Sequence, residues 1–403
     1  MTRRWLAGLL ARRRGRLLAA IAGVAVTVAL VASIGTFLAG STAAMTDRAL
    51  ARVPLDWQVE TSPGASLPKV LHEVRAFPGV RKALPVLYAK TTGYHATANG
   101  ATSSASAGLV LGITRDYRAA FPHELRQFVG ARSGVLIAQQ MAANLGVGVG
   151  DQISIGRSGM PDAKVRIDGI VDFTAPQQLL LPAATTAAST QAPVPDNVLI
   201  VPAAKWQALF GTLAHNQPAL IRRQVHANLD HGRLPRDPAA AYTSALGIAK
   251  NLETRLAGTG TVRNNLAAAL DAARGDSLYA RVAFLFLGMP GALLAVLLTA
   301  AITSAGSERR RRDQALLRAR GAAQAILVRL ALAESLLVGV IGAAIGLGAA
   351  MVIGATAFGS ASFGATTAQT AAWAGFSVLA ALVIAALVIA LPAWRDVRRM
   401  TVV

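Results

Sequence analysis

Residues 145–156 read LGVGVGDQISIG, with Gly146, Gly148 and Gly150 at alternate positions and Asp151 directly after them. Closely spaced glycines are what a phosphate loop uses, because backbone N–H groups reach the anion only where no side chain intervenes. That chemistry needs more than glycine. A Walker loop closes with Gly-Lys-[Ser/Thr] and opens a helix, whereas Gly150 is followed by Asp151, Gln152 and a strand-like run. A dinucleotide fingerprint would hold glycine or alanine where Asp151 stands, and its glycines would open a helix instead of following one. A carboxylate at that point repels phosphate. The stretch reads as a turn between a short helix and a strand.

The other residues able to do chemistry are equally uncommitted. His72, His95, His123, His215, His226 and His231 all lie between residues 40 and 281. His226 and His231 are five apart and lack the helical His-Glu-x-x-His arrangement of a zinc protease, so all six read as ordinary surface or half-buried histidines. No Gly-x-Ser-x-Gly elbow occurs, and the absence of cysteine excludes disulfides, thiolate metal sites and cysteine nucleophiles. The sequence therefore predicts no catalytic residue, no metal site and no cofactor.

What must position these residues is set by the apolar runs. Of 403 residues 53% are apolar and 15% charged, and the apolar ones gather in runs at 17–39, 282–304, 330–358 and 371–391. Each is long enough for a helix to cross about 30 Å of hydrocarbon. The first exceeds the roughly 7 to 15 apolar residues of a cleavable signal core, which favours an uncleaved helix over a signal peptide. Arginines cluster before the first run, between the second and third, and after the fourth, which places all three clusters and both termini in the cytoplasm. The expected fold is a multi-pass α-helical membrane protein of four transmembrane helices with a large α+β extracytoplasmic domain between helices 1 and 2. Its segments are a basic N-terminus (1–16), helix 1 (17–39), the outer domain with helical stalks (40–281), helix 2 (282–304), a cytoplasmic link (305–329), helix 3 (330–358), a short external loop (359–370), helix 4 (371–391) and a tail (392–403). The outer segment carries 24 basic and 16 acidic residues against 16 and 4 in the cytoplasmic pieces, so the net charge of +20 is partly a topology signal and does not point to nucleic acid. Only six of the 40 basic residues are lysine, and alanine is abundant, as in a GC-rich bacterial genome.

Within the outer segment, residues 41–52 extend helix 1 as a stalk. Strands are expected at 55–61, 84–98, 107–117, 197–202 and 219–230. Residues 134–156 read as strand, helix over 139–145, glycine turn and strand, with 164–173 as one strand pairing back in a hairpin interrupted at Gly169. Residues 174–196 read as a loop. From Asp237 the pattern is helical, with Leu246, Leu252 and Leu256 and then Leu266, Leu270 and Ala273 at helical spacing; Gly258 and Gly260 separate the two pieces, and the second runs into helix 2 as another stalk.

Inside the membrane segments Glu334 is the informative charge, and a nearby cation such as Arg329 is its expected partner. Gly339, Gly342, Gly346 and Gly348 on helix 3 include a small-xxx-small pair that lets helix backbones approach, so this face is expected to pack on another span. Pro290, in Met289-Pro290-Gly291, removes a backbone bond and predicts a kink in helix 2.

The link reads GSERRRRDQALLRARGAAQAILVRLALAE over 306–334. Ala315, Leu316, Ala319, Ala322, Ala323 and Ile326 form an apolar stripe on an otherwise basic helix, suited to the membrane surface or a partner's groove. Here the chain resembles the FtsX-like permeases, the MacB and LolC/LolE type of ABC transporter subunit, in its Leu-Arg-Ala-x-Gly-Ala motif, the glutamate a dozen residues on and the glycine-rich helix. The stretch GVLIAQQMAANLGVGVGDQISIG followed by VRIDGIVDF resembles the MacB-like core domain of the same family, so the likeness covers most of the chain. The resemblance implies that the link is a coupling helix seated in a separate cytoplasmic ABC ATPase, through Glu308, Arg309, Leu316, Leu317, Arg318, Gly321 and Ala322, with Glu334 at the foot of helix 3. It implies a homodimer or a second permease half set among membrane lipids, and ATP-driven motion relayed by the stalks to the outer domain for export, extraction or release, with an extracytoplasmic protein or a lipid or peptide substrate as its object. A relay that controls a cell-wall hydrolase or senses a peptide is the alternative. Many members carry a second copy of the whole arrangement, so the chain is expected to be either a half-size subunit or part of a longer permease.

Overall fold

The computed structural model describes residues 14–98, 101–183, 194–304 and 323–399. In chain order its helices are α1 (Arg14–Ala51), α2 (Leu67–Arg75), α3 (Tyr117–Ala120), α4 (Gln139–Leu145), α5 (Pro176–Leu180), α6 (Ala203–Asn216), α7 (Pro238–Leu256), α8 (Asn265–Ser304), α9 (Gln324–Ala357), α10 (Thr367–Ala385) and α11 (Leu391–Arg399). Its strands are β1 (Trp57–Thr61), β2 (Val80–Lys90), β3 (Gly93–Ala98), β4 (Ala101–Ala105), β5 (Leu109–Ile113), β6 (Leu125–Gly130), β7 (Leu136–Ala138), β8 (Gln152–Arg157), β9 (Met160–Arg166), β10 (Gly169–Phe173), β11 (Val198–Pro202), β12 (Ile221–Leu229) and β13 (Gly260–Asn264). These form two compact units, a helical one (residues up to Asp47, Arg236–Pro238 and from Ala273 onward) and an α+β one (Arg48–Pro235 and Ala239–Ala272).

In the helical unit, four helices are long and apolar enough to cross a membrane by length and composition: Leu17–Ala51, Asn265–Leu298, Gln324–Ala357 and Thr367–Arg395. Leu17, Ile21, Val24 and Val28 recur at helical spacing on α1 and pack with Val338 and Ala343 of α9 and Ala381, Ile384 and Ile389 farther on. Phe37 holds Phe284 and Phe358 edge-on, at ring separations of 4.5 and 5.0 Å. Between α10 and α11 the helix widens into a π turn over Ala386–Ala390. Pro392 lies just beyond it, and proline cannot donate back along the helix, so a local widening accommodates its ring. Pro290 lies inside α8 without ending it.

In the α+β unit a nine-stranded sheet runs β13-β1-β12-β2-β5-β11-β7-β10-β6, beside a four-stranded sheet β4-β3-β8-β9. The pairings are antiparallel except β5 with β11 and β7 with β10. Strand alternation sends Trp57, Val59, Val225 and Ala227 to one face of the large sheet, where they meet Val70 and Val74 of α2, Leu252 and Leu256 of α7, and Leu266 and Leu270 of α8. Val86, Tyr88, Leu136, Ile137, Trp206 and Phe210 belong to a second, larger core.

Several local expectations are corrected. Residues 164–173 do not make one strand: β9 pairs with β8 as the hairpin, and β10 joins the other sheet beside β7 and β6. The handover is at Asp168, whose carboxylate accepts the Val135 N–H at 2.7 Å, and at Gly169, where a Cβ would meet the Ala131 carbonyl oxygen. Residues 84–98 likewise divide, into β2 and β3. The segment after Gly258 forms β13, antiparallel to β1, instead of a plain break between helices. Leu246 is 43% exposed, and the buried stripe of α7 runs through Ala241, Ala245, Ala249, Leu252 and Leu256, because alanine lets the helix lie close to the sheet. The expected loop after Phe173 contains α5, whose Leu179 and Leu180 are buried. The third apolar helix starts at Gln324, so Glu334 stands about three turns into it.

Candidate functional site

The residues expected to seat an ATPase, Glu308, Arg309, Leu316, Leu317, Arg318, Gly321 and Ala322, lie outside the described residues. On the described side of the link, three of the four α9 glycines singled out in the sequence stand against neighbours. A Cβ on Gly342 would stand 2.7 Å from Val24 Cγ1, and one on Gly346 2.6 Å from both the Ala25 carbonyl oxygen and Val28 Cβ, so both face α1. Gly339 meets Leu382 of α10 at 2.9 Å, while Gly348 meets nothing within 4 Å. Glu334 is buried in the same unit. Gly354 adds a contact the sequence reading omitted, against Thr36 Cβ at 2.7 Å. Thr27 Oγ1 donates to the Gly23 and Ala295 carbonyl oxygens at 3.0 and 3.3 Å, joining α1 to α8.

The glycine stretch is a turn. Gly146 ends α4 in the left-handed conformation (φ 66°) and Gly150 also has positive φ (101°), so each needs the freedom of glycine. The Asp151 carboxylate accepts the Gly148 N–H at 2.8 Å, the Gly150 N–H donates to Ile167, and β8 begins at Gln152. The N–H that a phosphate would want already serves Asp151.

The sequence did not single out a polar ladder across three strands of the large sheet. Gln58 and Glu60 of β1 stand opposite His226 and Gln224 of β12, and Arg222 stands opposite Tyr88 of β2. Their parity places all of them on the face away from Trp57 and Val225. Gln224 Nε2 donates to Glu60 Oε2 at 3.0 Å, and Gln224 Oε1 lies 3.1 Å from His226 Nε2. His226 Nε2 is also 3.1 Å from the Tyr88 hydroxyl, and its Nδ1 is 2.8 Å from the Tyr117 hydroxyl, which lies 3.4 Å from Glu124 Oε2. A neutral imidazole satisfies this arrangement by donating at Nε2 and accepting at Nδ1. Burial pushes the His226 pKa down to about 3, with Arg222 adding to the effect. Burial pushes Glu124 up to about 8. Both tyrosines are raised by burial as well. His226, read as a surface or half-buried residue, is fully buried. The signal was present as Arg222, Gln224 and His226 at one parity with Val225 and Ala227 at the other, but a single strand does not reveal that its polar face will be covered.

Among the described residues, no three His, Cys, Asp or Glu side chains gather as metal ligands. The MacB-like periplasmic core domain family matches residues 17–230, and the FtsX-like permease C-terminal family matches residues 285–400. The chain belongs to the MacB-type, FtsX-like permease family. As such a permease it is an ABC-transporter-type membrane subunit of a bacterial family. No curated protein gives a significant match. In this FtsX-like permease the α+β unit continues past the matched core: α7 and β13, both after residue 230, complete its sheet edge and the core around Trp57.

Proposed function

We propose that the protein is the transmembrane subunit of an ABC transporter whose four apolar helices cross the bilayer with both termini cytoplasmic. In this reading the α+β unit is extracytoplasmic, and a separate ATPase docks under the 305–329 link through Leu316, Leu317 and Arg318, flanked by Glu308, Arg309, Gly321 and Ala322. The observation that carries the reading is the pair of family matches on the two parts of one chain, together with four helices of membrane-spanning length. The chain works as a homodimer or beside a second permease half, and ATP-driven helix motion acts on a substrate or partner of the outer domain. Helices α1 and α8 supply the physical means, since each is a single unbroken helix of 38 and 40 residues contributing to both units, and a stiff helix carries displacement along its length.

Affinity purification of the full chain from native membranes is expected to bring down an ATPase with Walker motifs. Leu316→Ala combined with Arg318→Glu is expected to abolish that association and the stimulated ATP hydrolysis, with membrane insertion unchanged. Retention of both in the variant would remove the coupling assignment. Recovery of a cell-wall hydrolase bound to the α+β unit, without export of any compound, would make the chain a relay.

A further inference from the structure

At one end of the large sheet, where β1 and β2 finish and β12 and β5 begin, a cavity of about 520 Å³ opens beside the polar ladder. That volume lies within the range of small-molecule sites. Its charged lining is Glu60, Lys90, Arg222 and Arg223, and Tyr88, Leu220 and Ile221 supply apolar wall. Arg222 and Lys90 share the Tyr88 face with Glu60, and Arg223 leaves β12 on the other face, so two cations stand with one carboxylate. That carboxylate is already held, since Glu60 Oε2 accepts from Gln224 Nε2 at 3.0 Å and from the Ala183 N–H at 2.8 Å. Among the described residues no acid pairs with Arg222 or Arg223.

Arg222 is the best-placed of the cations. Its guanidinium sits over Tyr88 with Cζ 4.3 Å from the ring centroid, and one Nη donates to the Leu180 carbonyl oxygen at 2.7 Å. Its Nε is buried and has no hydrogen-bond partner among the described residues. A buried donor without an acceptor is costly, and a guanidinium held at Tyr88 and at Leu180 is already placed to meet an anion. The field of Arg222 is felt around it: it lowers Arg263, after desolvation, and His226 in the same way. An anion placed among these groups would relieve that crowding.

We infer that this cavity is a binding site for a small carboxylate on an apolar body, its carboxylate taken by Arg222 with Lys90, which share the Tyr88 face of the sheet, and its apolar part lying on Pro218, Leu220 and Ile221. A monoanion suits the site better than a phosphate dianion because Glu60 stands in the same wall. A peptide C-terminus and a short acyl chain both carry this chemistry. The inference goes beyond the transporter reading and does not depend on an ATPase.

The test is calorimetric titration of the full chain in lipid nanodiscs, against empty nanodiscs, with N-acetyl-leucyl-phenylalanine, with decanoate, and with the neutral amide of each. Saturable binding of either acid, at least tenfold weaker for its amide, is expected. The acid that binds identifies the source, and binding of both identifies carboxylate recognition alone. Arg222→Gln is expected to weaken binding roughly ten- to a hundredfold, as loss of a charge-assisted pair does. Lys90→Gln, which leaves the Leu180 contact of Arg222 in place, is expected to weaken it several-fold with an unchanged circular dichroism spectrum, and it decides the matter if Arg222→Gln does not fold. Absence of saturable binding by both acids, equal affinity for acid and amide, or unchanged affinity in folded variants would overturn the assignment.

Discussion

Glu124 and His226 share one buried network yet respond to pH in opposite directions. His226 has a folded pKa of about 3 against an ordinary 6.5, so its contribution is complete above 6.5 and is lost as pH falls toward 3. Glu124 has a folded pKa of about 8 against 4.5, so the unit is favoured below 4.5 and loses stability as pH rises toward 8. Glu124→Gln keeps the side-chain shape and removes the ionisation. Relative to the parent, the variant should gain on the order of a few kcal/mol between pH 5 and pH 8. Urea unfolding followed through the buried Trp57 and Trp206 reads this directly, and an identical pH profile in both proteins would show that Glu124 is not the group responsible. The residues of the network were visible in the sequence but their burial was not. Gln58, Tyr88, Tyr117, Glu124 and His226 come from five separate segments, and only sheet register brings them together.

At the scale of elements, the glycines of α9 make a sharp comparison. Gly346→Ile must push into the α1 backbone at Ala25, whereas Gly348→Ile enters open space. Overpacking of this kind costs about 1–3 kcal/mol, and backbone yields less than a side chain does. Thermal denaturation in detergent should therefore show a clear drop for Gly346→Ile and little change for Gly348→Ile; equal melting temperatures would mean the two helices do not meet there. Elements defined by local pattern were the legible ones. Helix α4 spans 139–145 as read, and the apolar helices announce themselves by length. What local pattern missed was decided at a distance. Strand β13 takes its strand character from pairing with β1, and the division at Asp168–Gly169 depends on Val135 and Ala131, a different part of the chain. Leu246 satisfies helical spacing, but three small alanines win the inner face because they permit closer approach to the sheet.

For the whole molecule, the absence of cysteine makes topology directly testable, since any introduced thiol is the sole one in the chain. Asp162→Cys lies at an exposed position of β9, and Ala319→Cys lies in the link. A membrane-impermeant maleimide applied to intact cells should label the first and spare the second until the membrane is opened. Labelling of Ala319→Cys in intact cells would reverse the proposed orientation. The order of strands in the large sheet also bears on how the protein is made. Strand β1 leaves the ribosome early, yet both of its neighbours, β12 and β13, are synthesised near the end of the α+β unit. Pairings so far apart in sequence close slowly, and until then β1 presents two unpaired edges to any other nascent chain. A fragment ending at Asp230 would supply β12 but leave out β13, α7 and α8, and it should collect in aggregates, whereas one extended through Ala272 can close its sheet before release.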